Sequence, residues 1–474
     1  MNDFTLKSIA PDLAPANYLL LANNARVHRD KQIKLLLEKK KLPDDGWDNT
    51  TIEYFIGELS LMDSNNFPSR YGVGEREGRI ACDMVRQRHY NFAHGIGRSG
   101  NLTEPQPKAT GSTIMSNLTN SLMLDLIHEV GIHSCKRAIL VPLATGMAVM
   151  MTLLALKTKR PQAQYVLWSR IDQKSCFKSI QTAGLIPVVI DTIPVEENGD
   201  GMLGTNLKEF QKQIEILGAS NICCVLSTTS CFAPRTCDNI VELASLCQGH
   251  NIPHVVNNAY GLQSTFLTHQ LEQAARTGRV DAFIQSTDKN LLVPVGGAVI
   301  ASFDQTVDLV SESYPGRASS SQTLDVLMTL LSLGKKGYRA LVAERKELHQ
   351  YLLAQMTTVA KTYAETLMSG KNPISLALTL KNFASNPDMI GSMLHRRGVS
   401  GCRVVRTGKG SKTIGGYTFQ SWGAHSDQAG EPYLTTSAAL GVKRVEIDGF
   451  IVKLTQVLQD RIASEALVAQ TLDE

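Results

Sequence analysis

A lysine in the middle of the chain stands where a covalent catalyst could stand. Lys289 comes shortly after the apolar run AFIQ at 282–285, and the pair Gly296-Gly297 opens the next apolar run. A lysine that directly follows a buried strand can form an imine with an aldehyde and can act as a base once it is released. A surface lysine beside a loop gives the same local pattern, so the residues after the other apolar runs must decide.

Small and polar residues follow those other runs. Ala144, Thr145 and Gly146 come after the run at 138–141 and open a helical pattern, so their backbone N–H groups and a hydroxyl form a candidate phosphate cradle. Gln173 comes after the run at 165–168, and Asn257 ends the run at 254–257. The carboxyl ends of parallel strands are where ligands bind in open α/β sheets. We therefore expect these side chains to face a common ligand.

This order of residues resembles that of the fold-type-I pyridoxal-phosphate transferases, over about residues 70–317. The resemblance implies pyridoxal 5'-phosphate as the cofactor and Lys289 as its Schiff-base lysine. It also implies that the turn at 144–146 holds the cofactor phosphate and that Gln173 stacks on the ring. Most members of this superfamily have an aspartate where Asn257 stands. A neutral amide stabilises a protonated pyridine less than a carboxylate does, so we expect a weaker electron sink, suited to a good leaving group at Cβ such as phosphate.

Two glycine-framed loops carry candidate anion-binding residues. The segments YGVGEREGR at 71–79 and HGIGRSG at 94–100 are followed by Gln106, and YPGRAS at 314–319 adds Arg317. Guanidinium groups and glycine backbone N–H groups bind oxyanions, and planar forks suit phosphate. One such loop would be read as a surface ion pair, but both together indicate a phosphate site.

The elements that must position these residues form an α/β pattern. Continuous apolar runs separated by helical segments between 137 and 302 predict a mostly parallel sheet covered by helices on both faces. After about residue 320 a long helical stretch, three short strand-like pieces at 374–380, 402–405 and 416–419, and a final helix after Asp448 predict a smaller α+β domain. We predict three units: an N-terminal helical extension at 1–68, a large cofactor-binding domain at 69–320, and a small C-terminal domain at 321–474.

The totals exclude some classes of protein. The chain has 474 residues, of which 43% are hydrophobic and 19% are charged, and this is the composition of an ordinary globular protein. Nine cysteines without a CxxC pair argue against a disulfide framework and a common zinc module, and favour a reducing, cytoplasmic location. The uncharged stretch at 138–156 is long enough to test for a membrane span, but Pro142 and Thr145-Gly146 divide it into a strand and a helix. We therefore expect no membrane span.

Longer strings resemble a single family. SRYGVGEREGR, HGIGRSG, RIDQKSCFKS, STTSCFAPR, VNNAYG, DKNLLVPVGGA and YPGRAS are similar to the O-phosphoseryl-tRNA(Sec):selenocysteinyl-tRNA(Sec) synthases. The resemblance implies conversion of phosphoseryl-tRNA(Sec) with selenophosphate, by elimination of phosphate and addition of selenium at Cβ, in a homotetramer. The site residues that it implies are Lys289 as catalyst, Arg76 beside the cofactor phosphate, Glu75 as a filter against free amino acids, Arg98, Ser99, Gln106 and Arg317 on the substrate phosphate, and Arg276 and Arg397 on tRNA.

The N-terminal segment and two cysteines keep other interpretations open. The basic amphipathic pattern at 24–41 suits either a solvated face over an oligomer contact or a contact with a phosphate backbone. Cys176 and Cys231 are expected in loops that could approach the cofactor, as a cysteine desulfurase would need. A sulfur-inserting phosphoseryl-tRNA enzyme and a non-catalytic tRNA-binding protein also stay as alternatives.

Overall fold

The computed structural model describes residues 12–195, 201–408, 410–427 and 430–472, together with Thr5 and Ser8. Its helices are α1 Ala16–Lys39, α2 Asn49–Leu61, α3 Asp83–Arg88, α4 Thr110–Glu129, α5 Thr145–Lys159, α6 Lys174–Thr182, α7 Leu207–Leu217, α8 Ile240–Gly249, α9 Thr265–Thr277, α10 Thr287–Leu291, α11 Thr306–Glu312, α12 Ser321–Thr362, α13 Asp388–Arg396 and α14 Arg444–Leu472. Its strands are β1 Arg137–Val141, β2 Tyr165–Ser169, β3 Ile186–Ile190, β4 Ile193–Pro194, β5 Leu203–Gly204, β6 Ile222–Thr228, β7 His254–Asn257, β8 Ala282–Ser286, β9 Ala298–Ser302, β10 Leu367–Met368, β11 Ser375–Thr379, β12 Arg403–Val405, β13 Ser411–Ile414, β14 Tyr417–Gln420 and β15 Tyr433–Ser437.

A seven-stranded sheet forms the centre of the molecule, in the order β1-β9-β8-β7-β6-β2-β3. Four neighbouring pairs are parallel, and β9 alone runs antiparallel to both of its neighbours, β1 and β8. Helices pack on both faces, so the strands are buried and apolar along nearly their whole length. The apolar runs that the sequence shows between 137 and 302 are these strands, to within one or two residues at their ends. The predicted mostly parallel, helix-covered sheet is confirmed.

A second, four-stranded antiparallel sheet, β10-β11-β15-β12, lies in the C-terminal part. The long helix α12 connects the two sheets. Its first half shares a core with α4 and the large sheet, through Leu327 and Leu331, and its second half shares a core with the small sheet, through Leu352 and Met356. The two halves of α12, which meet at Gly334, thus belong to two different hydrophobic cores.

One predicted piece of the small domain lies elsewhere. The strand-like segment at 416–419 is part of the hairpin β13-β14, which forms its own two-stranded sheet. Phe419 packs with its ring centroid 5.1 Å from that of Phe177 and 6.3 Å from that of Trp168, so this hairpin covers the large sheet. The expectation that all three pieces join the small domain is wrong for this one, because its aromatic side chain is buried against another element. The final helix also begins earlier than expected, at Arg444.

The N-terminal segment is anchored at its second helix. Helix α2 buries Phe55, Ile56 and Leu59 in the same core as α4 and the first half of α12. Helix α1 is mostly exposed, and Leu36 is its one fully buried residue among those described. The predicted basic helix is therefore present, although Lys40 and Lys41 lie beyond its end. Its exposed apolar and basic side chains leave both interpretations of the segment open.

A break in α12 is filled by the chain between α1 and α2. Gly334 has a left-handed φ of 58°, which interrupts the helix. The backbone N–H of Trp47 donates to Leu331 O, and the N–H groups of Lys335 and Lys336 donate to carbonyls at 43 and 44. The N-terminal segment thus supplies the hydrogen bonds that the helix loses at Gly334.

None of the helices described is both long and apolar enough to cross a membrane. The uncharged stretch at 138–156 is divided between β1 and α5, as expected from Pro142 and the pair Thr145-Gly146.

Candidate active site

The sheet brings the predicted phosphate cradle and Lys289 to the same edge. Val141 at the end of β1 and Ser286 at the end of β8 both pair with Ala298 of the intervening strand β9. Neighbouring strands are spaced by about 4.8 Å, so the two strand ends are about 10 Å apart. Helix α5 begins at Thr145 after the first strand, and α10 carries Lys289 after the second.

The start of α5 is open to a ligand. Ala144 precedes the helix and makes no side-chain cap, and the first turn contains no acidic residue. The first backbone N–H groups of a helix lack partners within that helix and point out of it, which suits an anion. A Cβ on Gly146 would lie 2.9 Å from Cβ of Ser175, so only glycine lets the start of α5 approach the start of α6 this closely. The predicted cradle at 144–146 therefore has the required form.

The start of α6 connects the cradle with Asn257. Cys176 lies in its first turn and is 5% exposed, and its Sγ accepts a hydrogen bond of 3.2 Å from Nδ2 of Asn257. The other end of this amide, Asn257 Oδ1, is buried and has no hydrogen-bond partner among the described residues. Gln173, the residue expected to stack on the ring, directly precedes α6 and is half-buried. These residues thus surround one space with an unused buried acceptor.

Lys289 lies on a fixed backbone with a free amine. Its carbonyl accepts a hydrogen bond from Gln263 Nε2 at 3.1 Å, while its Nζ is 5.7 Å from the ring centroid of Tyr260. Burial raises the pKa of the Cys176 thiol to about 11, and the nearby positive charge of Lys289 opposes that rise. Lys289 makes no ion pair within the part of the chain that the structure describes. Its amine is therefore available next to the Cys176–Asn257 pair.

A separate cavity of about 570 Å³ is lined by arginines of the segments 71–79 and 314–319. Glu75, Arg76 and Arg317 line it. Arg317 Nη2 donates to the carbonyl of His94, while its Nε is buried with no partner among the described residues. Burial and the positive charge of Arg76 both lower the pKa of Arg317. Two cations that face the same space and keep a free donor are an arrangement suited to an anion such as phosphate.

Glu77 and Lys108, which were not among the predicted site residues, organise this cavity. Glu77 is 2.5 Å from Lys108 Nζ and 3.5 Å from Arg70, and these cations lower the pKa of its carboxyl. The carboxylate is therefore neutralised by other cations and leaves Arg76 and Arg317 with their charge. The repeated charges in the GEREGR string were the sequence signal for this ion-pair network.

The remaining predicted phosphate ligands lie beside this cavity. Arg98 is half-exposed and pairs with Glu104 at 3.5 Å, and neither Ser99 nor Gln106 lines the cavity. Backbone hydrogen bonds of 2.9 and 3.1 Å between Ile96 and Ala318 join the loop of Arg98 to the loop of Arg317. The two loops are thus neighbours, but the structure brings only Arg317 of these predicted ligands into the cavity.

Within one chain the Lys289 cluster and the arginine cavity stay apart. Among the described residues, no direct hydrogen bond or ion pair joins Lys289, Asn257 or Cys176 to Arg76 or Arg317. One group offers an amine and the other an anion site.

Comparisons with known proteins agree with this geometry. A sequence model of the O-phosphoseryl-tRNA(Sec) selenium transferase family, SepSecS, matches residues 62–459. The O-phosphoseryl-tRNA(Sec) selenium transferase of Dictyostelium discoideum is 47% identical over 95% of this chain and 98% of that one. The chain belongs to this family. The crystal structure of an archaeal O-phosphoseryl-tRNA(Sec) selenium transferase is 30% identical, with a TM-score of 0.87 over 96% of this chain and all of that one.

More distant structures share only the fold. A sphingosine-1-phosphate lyase from Burkholderia pseudomallei is 14% identical, with a TM-score of 0.57 over 100% of this chain and 99% of that chain. Oryza sativa TDC, crystallised with PLP and tryptamine, is 11% identical with a TM-score of 0.57 over 94% of this chain and 99% of that chain. The fold-type-I architecture expected from the order of strand-end residues is thus confirmed.

In this member of the SepSecS family the two predicted tRNA contacts lie on the surface. Arg276 is exposed in the last turn of α9. Arg397 directly follows α13, is 32% exposed, and forms an ion pair of 2.6 Å with Asp460 of α14. A charge that is already paired contributes less to a phosphate contact than a free one. Their role toward tRNA stays a prediction.

The two cysteines that kept a desulfurase interpretation open are buried. Cys176 lies in α6, so its expected place in a loop is wrong. Cys231 is in a loop but is 2% exposed, with its Sγ 3.7 Å from His425 Nε2. Burial raises the pKa of Cys231 to about 12 and that of Cys176 to about 11. Neither thiol has the exposure or the low pKa of the mobile nucleophile that a cysteine desulfurase needs.

Arg170 and Asp172, which follow strand β2, have a structural role. Arg170 is 1% exposed and is held by Asp172 at 2.9 Å, Asp191 at 2.8 Å and Asp427 at 2.5 Å. This network ties the end of β2 to the segment after the β13-β14 hairpin. The family's RIDQKS string therefore combines a structural ion-pair network with the start of α6.

Proposed function

We propose that this chain converts O-phosphoseryl-tRNA(Sec) to selenocysteinyl-tRNA(Sec), with selenophosphate as the selenium donor. The proposal is supported most by one observation: a free lysine amine lies at the sheet edge beside an open helix N-terminus, in a chain whose family bears this name. The cavity of Arg76 and Arg317 supplies the phosphate site that the substrate requires. A surface lysine without these neighbours would have supported only a tRNA-binding role.

The residues around Lys289 fit pyridoxal 5'-phosphate. The free N–H groups at the start of α5 suit its phosphate, and the buried, unpartnered Asn257 Oδ1 suits its ring nitrogen. Tyr260 Oη is also buried without a partner among the described residues. Unsatisfied buried polar atoms are costly, so a cluster of them at one sheet edge favours a polar ligand there. Ala144, Thr145, Gly146, Gln173 and Asn257 would hold the group, and Lys289 would anchor it.

When bound, the cofactor would supply an electron sink for the bond between Cα of the amino acid and its proton. The Lys289 amine, once released, would take that proton, because Lys289 follows β8 at the same sheet edge as Asn257 and the cradle at 144–146. Arg317 would hold the phosphate group as it leaves Cβ, and its positive charge would stabilise the departing dianion, while Arg76 would keep its expected place beside the cofactor phosphate. The same anion site would then receive the phosphoryl end of selenophosphate, which orients selenium toward Cβ. After the C–Se bond forms, water would cleave the P–Se bond and phosphate would leave.

The separation between the Lys289 cluster and the arginine cavity within one chain supports a homotetramer in which neighbouring copies complete each site. We propose that the arginine cavity of one copy faces the Lys289 cluster of another, with Glu75 as a filter against free amino-acid carboxylates. Arg98, Ser99 and Gln106 would close on the substrate phosphate in that assembly.

The N-terminal extension at 1–68 would serve assembly or tRNA contact, and Arg276 and Arg397 would contact tRNA. The large and small domains would meet near residue 320. We also propose a cytoplasmic location.

The decisive experiment is a single-turnover assay with phosphoseryl-tRNA(Sec) and selenophosphate on the cofactor-loaded protein. We expect selenocysteinyl-tRNA, and we expect seryl-tRNA(Sec) to be rejected by about 10⁴-fold, because buried arginine donors stay unpaired without the phosphate. Appreciable turnover of seryl-tRNA would overturn the assigned role of the arginine cavity. Binding of tRNA without any product or cofactor absorbance would instead favour a non-catalytic tRNA-binding protein.

A further inference from the structure

The direction of one side-chain amide decides what the ring site offers to its ligand. Asn257 stands at the end of β7, and its backbone is held on both sides: its carbonyl accepts from Thr229 N at 3.1 Å, and the next residue donates from its N–H to Ile284 O at 2.8 Å. The side chain is 3% exposed. With the backbone fixed, the amide retains one relevant freedom, the rotation that exchanges Oδ1 and Nδ2.

The contact with Cys176 distinguishes these two directions. An amide presents an acceptor at one end and two donors at the other, so the end that is bonded to the protein determines which end faces the ligand. Here Nδ2 donates to Cys176 Sγ at 3.2 Å, and Oδ1 is left buried without a partner among the described residues. The site therefore presents an acceptor.

The state of the thiol agrees with this direction. Burial raises the pKa of Cys176 to about 11, so the group is a neutral thiol whose sulfur accepts hydrogen bonds weakly. The Ser175 hydroxyl also forms a hydrogen bond with this sulfur, and that bond lowers the pKa of the thiol. A thiol sulfur has two lone pairs, so it can accept from both Ser175 and Asn257 Nδ2.

We propose that Cys176 is a positioning residue that holds the Asn257 amide with Oδ1 toward the ring nitrogen of the bound cofactor, so that this nitrogen is kept protonated. The inference rests on the proposed pyridoxal-phosphate function and deepens it. It also changes the expectation drawn from the missing aspartate. The site lacks a negative charge, yet a correctly directed amide oxygen still stabilises the protonated, more electron-withdrawing ring.

The experiment measures the protonation state of the ring nitrogen directly. Wild-type protein and variants are loaded with pyridoxal phosphate labelled with ¹⁵N in the ring, loading is checked by the long-wavelength absorbance, and the ¹⁵N shift is followed against pH. We expect a protonated nitrogen in the wild type. Cys176→Ala should release the amide, lower the ring-nitrogen pKa by about one unit, and weaken cofactor binding about fivefold, the effect of about one net hydrogen bond.

Three further variants separate positioning from packing. Cys176→Ser offers a hydroxyl acceptor for Asn257 Nδ2 and should restore the wild-type shift. Cys231→Ala removes another buried thiol, one whose contact is His425 rather than Asn257, and should leave the shift unchanged. Asn257→Asp combined with Cys176→Ala should give a protonated nitrogen again, because a carboxylate accepts from either oxygen.

The outcomes separate the inference from the proposed function. An unprotonated ring nitrogen in wild-type holoenzyme would overturn the inference and show the opposite amide direction. An unchanged shift in loaded Cys176→Ala would overturn it as well. If Cys176→Ala does not fold, the same test is made between Cys176→Ser and Cys176→Val, which differ in the acceptor. Failure of the wild type to bind the cofactor would overturn the proposed function itself.

Discussion

The sharpest test of the anion site is the replacement of Arg317 by glutamine. Arg317 is half-buried, its Nη2 is used by His94 O, and its Nε is buried without a partner among the described residues. A phosphate oxygen bound to Nε would therefore replace no bond within the protein. Arg317→Gln keeps a planar polar side chain but removes the charge and the free Nε donor.

The size of the effect follows from that single donor. A hydrogen bond to a charged group contributes about 1.5–3 kcal/mol. Each 1.4 kcal/mol is about a factor of ten, so kcat/KM for phosphoseryl-tRNA should fall about 10- to 150-fold. Because Arg317 is half-exposed, solvent screening favours the lower part of this range. Cofactor affinity should be unchanged, since the cofactor phosphate is expected at the cradle at 144–146 and not at Arg317.

The assay is a kcat/KM measurement together with inhibition by inorganic phosphate. Phosphate should compete with the substrate in the wild type, and its inhibition constant should rise in Arg317→Gln by about the same factor as kcat/KM falls. Arg86→Gln is the matched control, because Arg86 is an exposed arginine of α3 bonded to Asp83 and outside the cavity. A loss of activity without any weakening of phosphate inhibition would refute the role of Arg317 in anion binding.

Three further predictions concern the catalyst and the fold. Lys289→Ala should abolish the long-wavelength cofactor absorbance and lower single-turnover rates by about 10³-fold or more; an unchanged spectrum would exclude Lys289 as the anchor. Burial lowers the pKa of His254 to about 4 from 6.5, so the unfolded chain binds more protons below about pH 6.5 and stability is lost as pH falls toward 4. Denaturant unfolding should show about 2 kcal/mol lost by about pH 5, less in His254→Gln. Gly46→Ala would place a Cβ 1.9 Å from Ser332 O and should lower the free energy of unfolding by about 1–3 kcal/mol. Gly57→Ala, whose Cβ would meet open space, should leave it unchanged. Equal melting temperatures of the two variants would contradict this prediction.

The sequence predicted the large sheet well because its signal is local. Each strand is an apolar run whose neighbours are turns, and burial on both faces requires such runs whatever the order of the strands. The 416–419 segment shows the limit of that reasoning. Its strand character was visible, but its partner was not, because Phe419 packs against Trp168 and Phe177, which come from a distant part of the chain.

The same limit applied to the cysteines. Cys176 was expected in a loop, yet it is buried in the first turn of α6. Its contact with Asn257 joins positions 81 residues apart, and no spacing rule foresees such a contact.

By itself, the sequence determined the kinds of chemistry available: a lysine after a strand, a small-residue turn before a helix, and arginines between glycines. These depend on residue type and short spacing, which the chain carries along its length. Only the tertiary structure decided which groups share a space. It placed the cradle, Cys176, Asn257 and Lys289 at one sheet edge, and Arg76 with Arg317 in a separate cavity. Strand order and helix packing set those distances through contacts between remote residues, which no local pattern encodes.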